Sequence, residues 1–129
     1  MSYYFSKNAY GTFDEVYDKT VESLKKEGFG VLTEIDVKAT LKKKLDVEFR
    51  KYKILGACNP TFAYKALQSE DKIGTMLPCS VIVQEMEEGI VEVASIDPIA
   101  SMQAVHNPDL APVANQVQEK LKKVIDNIE

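Results

Sequence analysis

The chain of 129 residues has a net charge of −4 and is 45% hydrophobic and 28% charged, values typical of one globular domain, which we expect to cover residues 1–129. The acidic balance argues against nucleic-acid binding, which needs a basic surface. No apolar run approaches the roughly 18–20 residues that span a bilayer, so no membrane partner is expected.

The first third of the chain predicts a strand, a helix and a second strand. Residues 3–8 begin with aromatic residues and predict a strand. Thr12 and Glu15 form a capping-box pattern that starts a helix, and Gly28 ends it. The buried stripe of this helix is Phe13, Val16, Tyr17, Thr20, Val21 and Leu24. Residues 29–36 alternate, which predicts a strand with Phe29, Val31, Thr33 and Ile35 on one face.

Short helices are predicted in the middle of the chain. Asp36 suits the cap of a helix in which Val37, Leu41 and Leu45 recur every four residues, and its lysine run 42–44 is typical of a solvated face. Residues 49–56 predict a third strand. Asn59 suits the cap and Pro60 the first position of another short helix, which runs to about residue 70.

A β-hairpin and a long helix are predicted at the end of the chain. Residues 80–86 and 90–96 are the two strands, with a turn at Glu87-Glu88-Gly89, and residues 108–128 form the helix. Residues 81–83 are consecutively apolar, whereas a sheet with one wet face alternates apolar and polar residues. Both faces are therefore covered, by short helices or by a second subunit. We expect a homodimer, because twofold dimers are the commonest oligomers.

The two cysteine-bearing turns are the best candidates for a site. Cys58 lies just before a helix N-terminus, with Gly56 and Ala57 adding little bulk, and Cys79 follows Leu77 and Pro78. If the flanking strands are antiparallel, both turns share one rim of the sheet, whereas parallel strands would separate them by about 20 Å. We predict the antiparallel case. The resulting small-molecule pocket would comprise Gly56, Cys58, Asn59, Pro60, Leu77, Pro78 and Cys79.

Alternative roles for the cysteines remain open. Free cysteine often only fills buried space, and the spacing here is not C-x-x-C. His106, the one histidine, could activate Cys58 or Cys79, but it is predicted in a surface loop. The sulfur donors available to a soft metal such as copper(I) are Cys58, Cys79, Met76, Met86 and Met102.

The sequence contains no common nucleotide-binding or hydrolase motif. We therefore expect a non-catalytic binding or interaction protein that needs no cofactor or metal. A thiol-dependent redox or soft-metal-handling protein is the alternative, and an enzyme on small molecules, whose acids and bases the sequence does not identify, is a third hypothesis. Residues 1–7 lack the basic and long apolar segments of a Sec-type signal peptide, and two cysteines are too few for a disulfide scaffold, so we expect a cytoplasmic location.

Three sequence blocks, residues 36–41, 54–60 and 74–79, resemble the domain of unknown function 302 family. Together with the hairpin, Asp97-Pro98 and the closing helix, they match its order and spacing across nearly the whole chain. The resemblance implies an α+β, two-layer fold of β-α-β(4)-α type, with an antiparallel sheet, two long helices, short helices in the connections and a TATA-binding-protein-like topology. It also implies a dimer. It implies no reaction, and topology alone does not carry DNA binding.

Overall fold

The computed structural model describes residues 2–129. Its strands are β1 (Tyr4–Tyr10), β2 (Gly30–Asp36), β3 (Tyr52–Cys58), β4 (Cys79–Glu87) and β5 (Ile90–Ile96). Its α-helices are α1 (Phe13–Lys26), α2 (Val37–Leu45), α3 (Pro60–Ser69), α4 (Pro98–Ser101) and α5 (Ala111–Asp126). Two 3₁₀ helices, Asp71–Met76 and Pro108–Leu110, precede β4 and α5. No helix in residues 2–129 is long and apolar enough to cross a membrane.

The five strands form one antiparallel sheet in the order β1-β5-β4-β3-β2. The hairpin between β4 and β5 turns at Gly89, whose φ of +82° favours glycine. β1 pairs with β5, although 79 residues separate Tyr10 from Ile90, so the first and last strands lie side by side. The predicted α+β fold, an antiparallel sheet with two long helices, is confirmed.

Helix α1 begins and ends at the residues that its sequence predicts. The Glu15 backbone N–H donates to Thr12 Oγ1 at 3.1 Å, which satisfies one of the free amides of the first turn. At the other end, Gly28 has a φ of +86°, and its N–H donates to the Lys25 carbonyl. Local sequence alone therefore sets both boundaries of this helix.

The main core lies between one face of the sheet and helices α1 and α5. We call this the inner face. Strand residues Leu55, Val83 and Val93 are fully buried there, against Leu24 of α1 and Leu121 of α5. Burying a side chain of this size contributes roughly 1.5–3 kcal/mol relative to exposing it. The apolar stripes predicted for the two long helices are thus the surfaces that hold them to the sheet.

The opposite side of the sheet, which we call the outer face, carries the side chains that alternate with the core positions. Directly paired residues share a face, so Ile54, Ile82 and Ala94 lie in one row across three strands. The row is apolar, as the consecutive apolar residues of the hairpin predicted. The outer-face residues of β1, β3, β4 and β5 are Tyr4, Ser6, Asn8, Tyr10, Tyr52, Ile54, Gly56, Ser80, Ile82, Gln84, Ile90, Glu92, Ala94 and Ile96.

The predicted alternation of β2 is wrong beyond Val31. Val31 pairs with Ala57 and Thr33 pairs with the adjacent Gly56, so Leu32 has no partner in β3 and forms a β-bulge. After this bulge, Thr33 and Ile35 pair with Gly56 and with Ile54 and therefore lie on the outer face. An inserted residue reverses the alternation of every later side chain, because the period of a strand is two.

Two other boundaries differ from the predictions. β3 begins at Tyr52 instead of residue 49, and it continues to Cys58, which pairs with Gly30 of β2, while the pairing with β4 reaches Ala57. The apolar row predicted for α2 is not buried, and Leu45 is 66% exposed. α2 contacts β2 and β3 beside the sheet edge, so its row has little surface to pack against.

Candidate ligand-binding site

Strands β3 and β4 bring the two cysteine-bearing turns together. The strands are antiparallel, as predicted, and Ala57 at the end of β3 pairs with Cys79 at the start of β4. Cys58 is the next residue along β3, so both thiols lie at the same end of the sheet. Antiparallel pairing alone produces this proximity, because the end of one strand adjoins the start of its neighbour.

A cavity of about 270 Å³ lies at this end of the sheet. It is a partly open hollow bordered by the strand ends, by α3, by the 3₁₀ segment before β4 and by α5. Leu32, displaced by the bulge in β2, and Leu67 on α3 are 68% and 44% exposed and stand at its mouth. The remaining lining residues are Phe29, Ala57, Cys58, Asn59, Phe62, Ala63, Ala66, Gly74, Leu77, Pro78, Cys79, Met102, Val113, Ala114 and Val117.

Five of the seven residues predicted for a pocket line this cavity: Cys58, Asn59, Leu77, Pro78 and Cys79. Gly56 and Pro60 do not. Sequence reasoning missed the helical walls, which include Ala63 and Ala66 of α3 and Ala114 of α5. The sequence feature that could have revealed these walls is the presence of small residues on one face of each helix, such as Ala63 and Ala66, which are three residues apart.

Gly56 has a packing role on the outer face of the sheet. A methyl carbon built on Gly56 would lie 2.7 Å from Pro78 Cγ and would also overlap Thr33 Oγ1. Thr33 comes from β2 and Pro78 from the segment before β4, so glycine lets both neighbours approach the β3 backbone. The space left by the small bulk of Gly56 is therefore occupied by protein groups.

Asn59 and Pro60 begin α3 as predicted, with Asn59 at the cap position and Pro60 in the first turn. However, the Asn59 side chain makes no capping hydrogen bond. Its Nδ2 instead points to the Glu27 carbonyl oxygen at 3.5 Å and packs against Gly28. The side chain thus connects the start of α3 to the end of α1, beside the cavity.

Cys58 and Cys79 are both free and half-buried. Burial, and to a smaller extent the neighbouring Cys58, raises the pKa of the Cys79 thiol to about 11. At neutral pH this thiol is therefore protonated. A protonated thiol is a weak nucleophile, because thiolate is the reactive form.

The other sulfur and imidazole groups do not gather around the cysteines. Met102 lines the cavity, whereas Met86 lies on the exposed hairpin and Met76 is 37% exposed outside the lining. His106 is exposed in the loop after α4, as predicted, and is not among the lining residues. Within residues 2–129, no three His, Cys, Asp or Glu side chains are grouped as metal ligands.

The fold is that of a small α+β protein, with a five-stranded antiparallel sheet and two long helices on one face, and an apolar hollow lies at the end of the sheet. The family described as domain of unknown function DUF302 matches residues 5–128 of the chain. The chain therefore belongs to the DUF302 family.

A solved structure supports the same assignment. The crystal structure of the uncharacterized conserved protein DUF302 from Bacillus stearothermophilus is similar, with a TM-score of 0.91 and 27% sequence identity over 100% of both chains. None of the curated proteins matches this chain. The comparisons show the fold and the family.

Proposed function

We propose that this protein is a homodimeric, cytoplasmic binding protein for a compact, uncharged and mainly apolar small molecule. The observation that carries the proposal is the cavity of about 270 Å³ beside Cys58, Asn59 and Cys79. A concave, apolar site with a few polar groups is the usual form of a ligand pocket in proteins. The two free cysteines support a reducing compartment.

The lining argues for an uncharged ligand. Among the described residues, those that line the cavity are apolar apart from the Asn59 amide and the two thiols, and none carries a full charge. Moving an ionised group into such surroundings without a partner is strongly unfavourable. The protonated Cys79 thiol offers a weak hydrogen bond and no negative charge. A neutral molecule with at most one or two polar atoms fits this chemistry.

The volume limits the size of the ligand. An engineered apolar cavity of about 150 Å³ accommodates benzene, and pockets for drug-sized ligands begin at about 300 Å³. The cavity described here lies between these values. We therefore expect a substituted aromatic ring or a medium-length aliphatic chain, held through contact with Phe62 and the aliphatic walls of α3 and α5.

Thermal unfolding with a matched pair of probes tests this proposal. Octanol is neutral and octanoate carries a charge on a chain of the same length. We expect octanol to raise the Tm and octanoate to leave it unchanged, because a ligand that binds only the folded state stabilises it by about 2.7 kcal/mol at one hundred times its Kd. Equal shifts with both probes, or no shift with either, would contradict the proposed ligand chemistry.

Two leucine substitutions on α3 locate the binding site. Ala63 lines the cavity, so Ala63→Leu fills part of the free volume and should abolish the octanol shift. Gln68 lies on the same helix, is exposed and does not line the cavity, so Gln68→Leu should retain the shift. An octanol shift that survives Ala63→Leu would place the binding site elsewhere.

A further inference from the structure

A second hollow, separate from the cavity beside the cysteines, lies on the outer face of the sheet and has a volume of about 400 Å³. We call it the outer-face hollow. Its floor is formed by Ile82 and Ala94, which pair directly in the adjacent strands β4 and β5. Because Ala94 carries only a methyl group, it leaves a depression between larger neighbours. The other lining residues are Tyr3, Tyr4, Tyr52, Ser80, Gln84, Glu92, Ser95 and Ile96.

Among the described residues that line this hollow, Glu92 is the one with a full charge. Its side chain is half-buried, and its Oε1 accepts a hydrogen bond from Gln84 Nε2 at 2.7 Å. The ion pairs within residues 2–129 do not include Glu92. A carboxylate that is partly withdrawn from water and has no cationic partner is unfavourable. The hollow therefore favours a ligand that supplies a positive charge.

Arg50 is the nearby positive charge, but it does not pair with Glu92, because the Gln84 amide stands between them. Arg50 Nε donates to Gln84 Oε1 at 2.9 Å, on the side of the amide opposite to Glu92. The Arg50 guanidinium also lies 4.4 Å from the Phe49 ring centroid and is outside the lining of the hollow. A cation in contact with Glu92 is closer to this carboxylate than to Arg50, so attraction exceeds repulsion.

Tyrosine rings border the hollow on two sides. Tyr4 stands on the β1 side, and Tyr52 stands on the β3 side. Tyr3 packs edge-on against Tyr4, with ring centroids 5.0 Å apart, which supports the position of the Tyr4 ring. The faces of tyrosine rings attract both cations and apolar groups. The apolar floor and these rings therefore suit a ligand with an aromatic body.

We infer that the outer-face hollow binds an organic cation, an amine with an aromatic body, whose ammonium group contacts Glu92. Ala94 and Glu92 are two residues apart on one face of β5, so their side chains are about 7 Å apart. An aromatic ring joined to an ammonium by two carbons has a comparable length, so the ring lies over Ala94 while the ammonium contacts Glu92. This site differs in place and in ligand charge from the cavity beside the cysteines, and the inference does not depend on the ligand proposed there.

Other ligands fit this hollow less well. An anion would be repelled by Glu92, and a neutral apolar molecule would leave the carboxylate without a partner while removing more of its water. A metal ion needs several ligands, and within the part of the chain that the structure describes no three His, Cys, Asp or Glu side chains are grouped. An ammonium group needs only one carboxylate and is satisfied by the surrounding rings and hydrogen-bond acceptors.

Isothermal titration calorimetry with protonated 2-phenylethylamine tests the inference. Glu92→Gln removes the charge but keeps an oxygen that accepts the Gln84 hydrogen bond, so the fold is retained. This variant should bind the amine at least about tenfold more weakly, because a charge-assisted contact is lost. Glu88→Gln, exposed in the turn of the same hairpin, changes the net charge equally and should bind as the wild type does. Equal affinities for Glu92→Gln and the wild type, or a wild type that does not bind the amine, would overturn the inference.

Filling each hollow in turn locates the amine. Ala94→Leu occupies the floor of the outer-face hollow and should abolish amine binding, whereas Ala63→Leu fills the other cavity and should leave amine binding unchanged. In the Ala63→Leu chain, 2-phenylethanol, which has a hydroxyl in place of the ammonium, should not bind. Amine binding that is lost in Ala63→Leu and kept in Ala94→Leu would place the amine beside the cysteines and overturn the inference. The octanol shift, measured on Glu92→Gln, should be unchanged and reports on the proposed function separately.

Discussion

Replacing Gly56 with alanine adds one methyl group where the segment before Cys58 contacts the segment before Cys79. The new methyl group would lie 2.7 Å from Pro78 Cγ and would overlap Thr33 Oγ1, so at least one neighbour must move. Thr33 is exposed on an edge strand and can rotate away. The Pro78 ring is half-buried and its position is coupled to the start of β4, so this second overlap dominates.

The expected loss of stability follows from two opposing contributions. Overpacking of this kind costs about 1–3 kcal/mol. Alanine has less conformational freedom than glycine in the unfolded chain, which stabilises the folded state by about 0.4–1 kcal/mol. The net loss is therefore about 1–2 kcal/mol, which for a chain of this length corresponds to a decrease in Tm of roughly 3–10 °C.

Gly30→Ala is the matched control, because a methyl carbon at Gly30 would meet nothing within 4 Å. Its Tm should equal or slightly exceed that of the wild type, measured by circular dichroism under the same conditions. Thr33→Ala combined with Gly56→Ala should recover only part of the loss, since the Pro78 overlap persists. If Gly56→Ala is as stable as Gly30→Ala, the packing explanation of Gly56 is incorrect.

Three further predictions concern the core, a tyrosine and a thiol. Leu121→Ala should destabilise the protein by about 2–5 kcal/mol in urea unfolding, because Leu121 is fully buried; a loss below about 1 kcal/mol would contradict its place in the core. The Tyr17 hydroxyl donates to Glu34, and this bond together with burial raises the Tyr17 pKa to about 12. The folded state therefore holds this proton more tightly than the unfolded chain does. The difference in unfolding free energy between wild type and Tyr17→Phe should have its full value below pH 10 and disappear as the pH rises towards 12. A difference that does not change with pH would refute the assignment. Iodoacetamide should modify Cys79 slowly at pH 7 and faster only as the pH approaches 11, as followed by peptide mass spectrometry, and rapid modification at pH 7 would contradict the raised pKa.

Short sequence patterns were sufficient to predict the helix and turn boundaries that depend only on neighbouring residues. The capping pair Thr12 and Glu15, the terminal Gly28 and the turn at Gly89 each determine a boundary through backbone geometry. The convergence of Cys58 and Cys79 required only one additional assumption, that β3 and β4 are antiparallel. That assumption was correct, so much of the cavity rim was predictable from sequence order.

The helical walls of the cavity were not predictable in the same way. In the sequence, Ala63 and Ala114 are ordinary small residues on amphipathic helices. They line the same cavity only because of the way α3 and α5 pack. The Leu32 bulge is a similar case, since the alternation of residues 29–36 gives no sign of an extra residue. Gly56 was predicted as part of the pocket, whereas Thr33 and Pro78 fill the space beside it.

The amino-acid sequence by itself determined the strands and helices, their approximate limits, the antiparallel α+β class and the common rim of the two cysteine turns. These features follow from periodicity, caps and turns, which act over a few residues. Only the tertiary structure decided which side chains enclose the cavity, which face of β2 is buried after the bulge, and which sheet face stays uncovered. Those outcomes depend on contacts between residues distant in sequence, such as Ala63 with the α5 wall, and no local pattern encodes such contacts.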